Sequence, residues 1–150
     1  MGFSLESLNP RILCGVFRMI KELSVKTHSR VQLIDITGLI QKMVLESKIN
    51  SGICMVYVPH TTAAVTINEN ADPAVQSDIT SELNKVIPFN DNYSHLEGNS
   101  AAHIKTSLIG SSESIPIDGG SLVLGTWQGI YFCEFDGPRN RKLIVKLIEG

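Results

Sequence analysis

Apolar positions along the chain change their period several times, and each change marks an element. β-Branched and aromatic residues from Ile12 to Lys26 predict a strand, Thr27 to Arg30 a turn, and Val31 to Ile36 the returning strand. Thr37 is then the expected N-cap of a helix with Leu39, Ile40, Met43 and Val44 on one face, ending near Asn50-Ser51-Gly52. The unbroken apolar run from Ile53 to Val58 predicts a strand covered on both faces. Ala63, Val65 and Ile67 predict the inward set of the next strand, alternating with Ala64, Thr66 and Asn68.

Asp72-Pro73 is a cap followed by proline at the first helical position, and Val75, Ile79, Leu83 and Val86 continue as a helical stripe that stops before Pro88. A polar loop runs from Phe89 to Gly98. Asn99 or Ser100 caps a third helix, expected to turn Ala101, Ile104 and Leu108 inward and to end at Gly110. Ser114 to Ile117, Ser121 to Leu124, Gly129 to Phe135 and Leu143 to Ile148 read as strands, with a turn at Asp118-Gly119-Gly120. Strands and helices are interspersed without a regular βαβ rhythm. The expected fold is therefore α+β, a single compact domain over residues 1–150 with largely antiparallel sheet and about three helices, residues 1–13 forming a loosely attached extension.

Composition narrows the partners. A chain of 150 residues, 43% hydrophobic and 19% charged, can bury one substantial core. Its net charge of −2 comes without a Lys/Arg block, which argues against nucleic acid as a partner. Cys14, Cys54 and Cys133 are odd in number and lack CxxC spacing, so neither a zinc knuckle nor a disulfide framework is expected. Without an apolar run of membrane length or a leader pattern, the expected location is the cytoplasm and no membrane partner is expected.

Candidate chemistry concentrates between Tyr57 and Pro73. His60, Thr61, Thr62, Asn68, Glu69 and Asp72 crowd around a short apolar run, more polar variety than a structural turn requires. His60 ends a buried strand, where a ligand or general base is as natural as a satisfied core histidine. His95 and His103, separated by a loop and one helical turn, can converge on one ion, although their spacing matches no compact zinc pattern and two surface histidines are the plain alternative. With His60 as third ligand, they would form an open divalent-metal site, zinc or magnesium, that keeps a position for water or substrate. His28 reads as a solvated turn residue.

Trp127 and Gln128 stand between Gly125 and Gly129, as a flat wall with a donor and acceptor for a heterocycle or, equally, as a core or subunit-interface aromatic. Glu134 lies on an apolar strand face and needs a partner: Arg139 or Arg141, a metal-bound histidine, or substrate, unless the strand end simply exposes it. Arg139 and Arg141 are fork-like donors suited to phosphate or diphosphate.

His60 to Pro73 (HTTAAVTINENADP), the H…EGNSAAH segment from His95 to His103, Ser107 to Ser112, and Leu124 to Lys142 (LGTWQGIYFCEFDGPRNRK) together resemble the YjbQ family, over about Val25 to Lys146. That family is named for a secondary thiamine-phosphate synthase activity. The resemblance implies a compact α+β homotrimer with pockets near subunit boundaries and a divalent metal held by histidines. His60, Asn68, Glu69, His95, His103, Trp127, Gln128, Glu134 and Arg139 fall on the family's characteristic positions. The expected reaction joins a pyrimidine methyl diphosphate to a thiazole phosphate with loss of diphosphate. In that scheme the metal with Arg139 and Arg141 takes the diphosphate, Trp127 stacks on the pyrimidine, Glu134 and Gln128 read its ring nitrogens and amine, and His60 orients or moves a proton. Glu69 joins His60 and Glu134 as a catalytic residue, and Thr61, Thr62 and Asn68 complete the substrate site. The alternatives are a metal-dependent hydrolase of a small phosphorylated substrate and a non-catalytic trimeric binding protein.

Overall fold

The structure is a computed structural model that describes residues 18–150. In chain order the elements are β1 (Arg18–Lys26), β2 (Gln32–Asp35), α1 (Thr37–Ser47), β3 (Gly52–Tyr57), β4 (Ala63–Glu69), α2 (Pro73–Val86), α3 (Ser100–Ile109), β5 (Ser112–Asp118), β6 (Ser121–Leu122), β7 (Gln128–Glu134) and β8 (Asn140–Glu149). The strand expected from Ile12 is described only from Arg18; its first residues and Cys14 lie outside the described part. Two sheets form, ordered β1-β8-β3-β5-β6 and β2-β7-β4, and every strand pair is antiparallel. The α+β expectation holds, with three helices.

The two sheets face each other across the main core. Val56, Ile115, Leu143, Val145 and Leu147 from the larger sheet meet Val65, Ile130 and Phe132 from the smaller. Ile40, Met43 and Val44 of α1 enter the same core. Burying each such side chain contributes about 1.5–3 kcal/mol before entropy is counted. A second cluster, Ala64, Ala102, Tyr131, Cys133 and Phe135, lies on the other face of the smaller sheet, packed against Leu83 of α2 and Ile109 of α3. The order of layers is large sheet, small sheet, then α2 and α3, with α1 packed into the core between the sheets. Cys54 and Cys133 are buried core residues, and burial pushes each thiol up to about 12.

Three local expectations are corrected. β3 is covered on one face only: Cys54 and Val56 are buried, whereas Ile53 and Tyr57 are exposed, because among the described residues no layer covers the outer face of the large sheet. Thr37 is the first helical residue of α1 and not its cap. Its N–H donates to Asp35 Oδ1 at 2.8 Å, and its hydroxyl accepts the N–H of Ile130, tying the helix start to β7. The inward face of α3 is Ala101, Ala102, Lys105 and Thr106, while Ile104 and Leu108 point outward. Two adjacent alanines let the helix approach β4 closely, and that packing overrides the apolar stripe. Asp72 caps α2 as expected, accepting the N–H of Ala74 at 2.8 Å, although α2 buries no residue fully.

Candidate functional site

β3 leads into β4 through a turn that carries His60, Thr61 and Thr62. His60 Nε2 accepts the backbone N–H of Lys142 at 2.9 Å. A ring nitrogen accepting from an amide carries no proton, so neutral His60 keeps its proton on Nδ1 and presents a donor. Burial and the neighbouring Arg141 guanidinium hold His60 below the ordinary imidazole value, against the opposite pull of Glu134.

Beneath this turn lies a buried ion pair. Glu134, at the end of β7, is fully buried, and Arg141 of β8 is almost so. Arg141 Nε donates to Glu134 Oε2 at 2.8 Å and its Nη2 to Oε1 at 2.5 Å, while Nη2 also reaches Thr62 Oγ1 at 2.9 Å. Thr27 Oγ1 and the Asp136 N–H donate to the same carboxylate, each at 2.9 Å. Burial alone would raise the Glu134 pKa, but the bonds from Arg141, Asp136 and Thr27 outweigh it and hold the carboxyl below its ordinary value. The backbone must pass very close here. A Cβ on Gly137 would collide with Ser29 O and come within 2.8 Å of Glu134 Cγ. Glu134 and Arg141 are thus committed to each other, a geometry that binds β1, β7, β8 and the His60 turn together.

The polar loop before α3 supplies His95. Phe89 anchors that loop, with the Arg30 guanidinium 3.7 Å and the Lys105 ammonium 3.8 Å from its ring centroid. Lys105 is completely buried and donates to Asn84 Oδ1 at 2.5 Å; burial, with Arg30 nearby, pulls its pKa down to about 8. His95 and His103 meet edge to face with ring centroids 5.5 Å apart, and His95 Nε2 lies 3.7 Å from Glu97 Oε2.

Two cavities share His103. One, of about 380 Å³, is lined by Tyr93, His95, Ser100, His103 and Ile104 at the start of α3. The other, of about 390 Å³, follows the end of α3 and is lined by His60, Thr61, His103, Thr106, Ser107, Gly110 and Ser111. Asn99 Nδ2 donates to Asp136 Oδ2, which also accepts from Arg139 Nη2, so Arg139 is tied back toward the N-terminus of α3.

Asn68, Glu69, Trp127 and Gln128 gather elsewhere. β4 and β7 pair from Ala63 opposite Glu134 to Glu69 opposite Gln128. At strand rise this separates the histidine end from the tryptophan end by roughly 20 Å within one copy. The tryptophan end is closed upon itself. Gln128 Oε1 accepts the Gly125 N–H at 2.7 Å, the Asn70 N–H donates to Trp127 O at 2.9 Å, and Asn68 Oδ1 accepts the Glu69 N–H at 2.8 Å. Gln76 Nε2 and Tyr131 Oη both donate to Glu69 O. The Trp127 residue itself stays 63% exposed.

Among the described residues no three His, Cys, Asp or Glu side chains are grouped to hold a metal ion. His95 and His103 form a two-imidazole pair, a nitrogen donor set that suits zinc with its other positions open. His60, expected as a third ligand, is not grouped with that pair: its Nε2 is taken by the Lys142 N–H, although it lines the second cavity with His103. Sequence reasoning missed Lys105 and Thr106. The signal was the Ala101-Ala102 pair, from which positions four residues on share the inward face.

Comparison with known proteins agrees with this fold. The family described as UPF0047 protein YjbQ-like matches residues 21–150. UPF0047 protein MJ1081 of Methanocaldococcus jannaschii is 55% identical over 133 residues, covering 89% of this chain and 96% of the relative. UPF0047 protein YugU of Bacillus subtilis is 48% identical over 131 residues, covering 87% and 99%. A crystal structure of an uncharacterized conserved protein of the YjbQ/UPF0047 family from Clostridium acetobutylicum superposes with a TM-score of 0.84 at 58% identity, covering 85% of this chain and 99% of that one. A YbjQ-like protein of unknown function from Sulfolobus solfataricus gives 0.86 at 30% identity, covering 90% and 99%.

Proposed function

We propose that this chain, which belongs to the UPF0047 (YjbQ-like) family, is a metal-assisted transferase of the thiamine-phosphate synthase type, acting on small phosphorylated heterocycles. The observation that carries this reading is His103, which lines two cavities, one together with His95 and the other together with His60. His95 and His103 would hold the divalent ion, with water and substrate oxygens completing its shell. When bound, the ion supplies charge stabilisation for a departing diphosphate.

The chain's own groups suit the rest. The N-terminus of α3, with Ser100 at the first cavity, favours an anion, and Arg139 is held on that side through Asp136 and Asn99. His60 donates through Nδ1, and its lowered pKa keeps it a neutral donor at pH 7. Arg141 and Glu134 position the His60 turn and do not touch substrate.

Trp127 acts across a subunit boundary in a homotrimer. Its ring is exposed on a turn whose hydrogen bonds are already closed, a preorganised platform too far from the histidines of its own copy. The outer face of the large sheet, with Ile20, Ile53 and Tyr57 exposed, gives such an assembly an apolar surface to bury.

The test is thiamine phosphate formation from pyrimidine methyl diphosphate and thiazole phosphate, with and without added divalent ion. Product that appears with the ion and is lost in His103→Ala is expected. Diphosphate release that ignores the thiazole would turn the reading to a hydrolase, and no turnover with any divalent ion would overturn it.

A further inference from the structure

His95 reaches His103 from a loop, residues 87–99, that joins α2 to α3. Tyr93 Oη donates to Pro88 O at 2.7 Å and the Gly98 N–H to His95 O at 3.1 Å, so the loop folds upon itself and brings Tyr93 and His95 to the first cavity. Those bonds are internal to the loop. Phe89 ties it to the rest of the fold, with two cations of different origin over its ring.

Lys105 comes from α3, two residues beyond His103, and its ammonium lies 3.8 Å from the ring centroid. Arg30 comes from the turn between β1 and β2, with its guanidinium at 3.7 Å. Arg30 O accepts the Gly137 N–H at 3.0 Å, in the turn that passes over Glu134, and the Glu134–Arg141 pair holds Thr62 beside His60. Phe89 thus joins the carrier of His95 directly to that of His103, and through Arg30 to the His60 turn. The nature of these contacts is the informative part. Lys105 is completely buried, its Nζ donates to Asn84 Oδ1, and among the described residues neither Lys105 nor Arg30 is salt-bridged to a carboxylate. A cation buried without a carboxylate costs more than an apolar side chain would, so stability alone favours leucine or methionine at 105. What the cations gain is selectivity: they attract the face of an aromatic ring and nothing else of an apolar loop, which fixes one arrangement of that loop.

We propose that Phe89 is a positioning residue for the imidazole pair: gripped by Lys105 and Arg30, it sets how His95 meets His103. Its effect on a bound ion rests on the metal reading of that pair; the contact between the two imidazoles does not.

The experiment follows the full chain, free of metal, by NMR for the NOE between the His95 and His103 rings, and then titrates it with zinc(II). Two replacements separate the charge pattern of the ring from its bulk. Phe89→Leu keeps an apolar side chain, and 3,4,5-trifluorophenylalanine at this position keeps the ring's shape while draining negative charge from its faces. The parent is expected to show the NOE. Both replacements should lose it and bind zinc at least about fivefold more weakly, whereas a ring that merely filled space would be replaced by the trifluorinated one without loss. The trifluorinated chain, close to the parent in shape, keeps the test decisive where Phe89→Leu melts early. In that chain an unchanged NOE, or a zinc affinity equal to the parent's, would overturn the proposal. Loss of the NOE with zinc bound by none of the chains would remove the metal reading and keep the positioning; zinc bound equally by all would do the reverse.

Discussion

The two ends of the β4–β7 ladder carry similar residue types and use them differently. At the tryptophan end, Gln128, Asn68 and the backbone of Glu69 and Asn70 spend their polar atoms on one another, and the one large group left over is an exposed indole. At the histidine end, a saturated ion pair lies underneath while His60 and His103 face open cavities. Polar groups that satisfy one another make a platform, whereas polar groups left facing a cavity make a site. Roughly 20 Å of strand separates the two ends within one copy.

The largest expected effect tests whether the histidine end depends on its buried pair. Arg141→Met leaves the Glu134 carboxylate buried among the remaining Thr27 and Asp136 donors without its cation. Stability should fall by about 3–5 kcal/mol in urea unfolding, while Gln128→Ala at the other end should cost no more than about 1 kcal/mol. The pair also sets an acid limit. The folded Glu134 pKa is depressed, so its contribution is fully present above the ordinary value of 4.5 and is lost as pH falls through the lower folded value.

Activity separates the ends next. His103→Ala should lower kcat/KM for thiamine phosphate formation by about 100-fold or more, since both cavities lose a wall and the imidazole pair is broken. Trp127→Ala should lose about tenfold, the scale of one aromatic stacking contact. Both variants should melt near the parent, because His103 is half-buried and Trp127 exposed. Equal losses would erase the distinction between site and platform.

How much of this was legible in the sequence varied with its physical origin. Features fixed by neighbours in the chain were readable: Asp72-Pro73 caps α2, and Ile40, Met43 and Val44 form the buried stripe of α1, although Leu39, expected on the same stripe, is exposed. The partners of Glu134 could be narrowed to a few groups including Arg141, but choosing among them required the turn at Gly137 and its close passage over Glu134. The facing of α3 was misread because Ile104 and Leu108 give the stronger apolar period, whereas close approach through Ala101 and Ala102 decides which side is buried. The separation of Trp127 from His60 was invisible, since both flank the same strand pair and only the register assigns them to opposite ends.

That face yields an effect that appears only at high pH. Lys105 is charged and buried on α3, with a folded pKa pulled from 10.5 to about 8. A lysine depressed on folding carries its full penalty below about pH 8, and stability recovers as pH rises from 8 toward 10.5 because the unfolded chain binds more protons there. Parent stability should therefore gain about 1–3 kcal/mol across that window relative to Lys105→Met, measured by urea unfolding at fixed ionic strength.

Subunit mixing is the most direct test of the claim that the two ends meet only between copies. His103→Ala and Trp127→Ala chains, each impaired alone, are dissociated together in equal amounts, reassembled and assayed for thiamine phosphate. In a head-to-tail ring one boundary in four pairs an intact histidine end with an intact tryptophan end, so recovery to about a quarter of parent activity is predicted. Activity that stays at the average of the two separate variants after complete exchange of subunits would contradict the account.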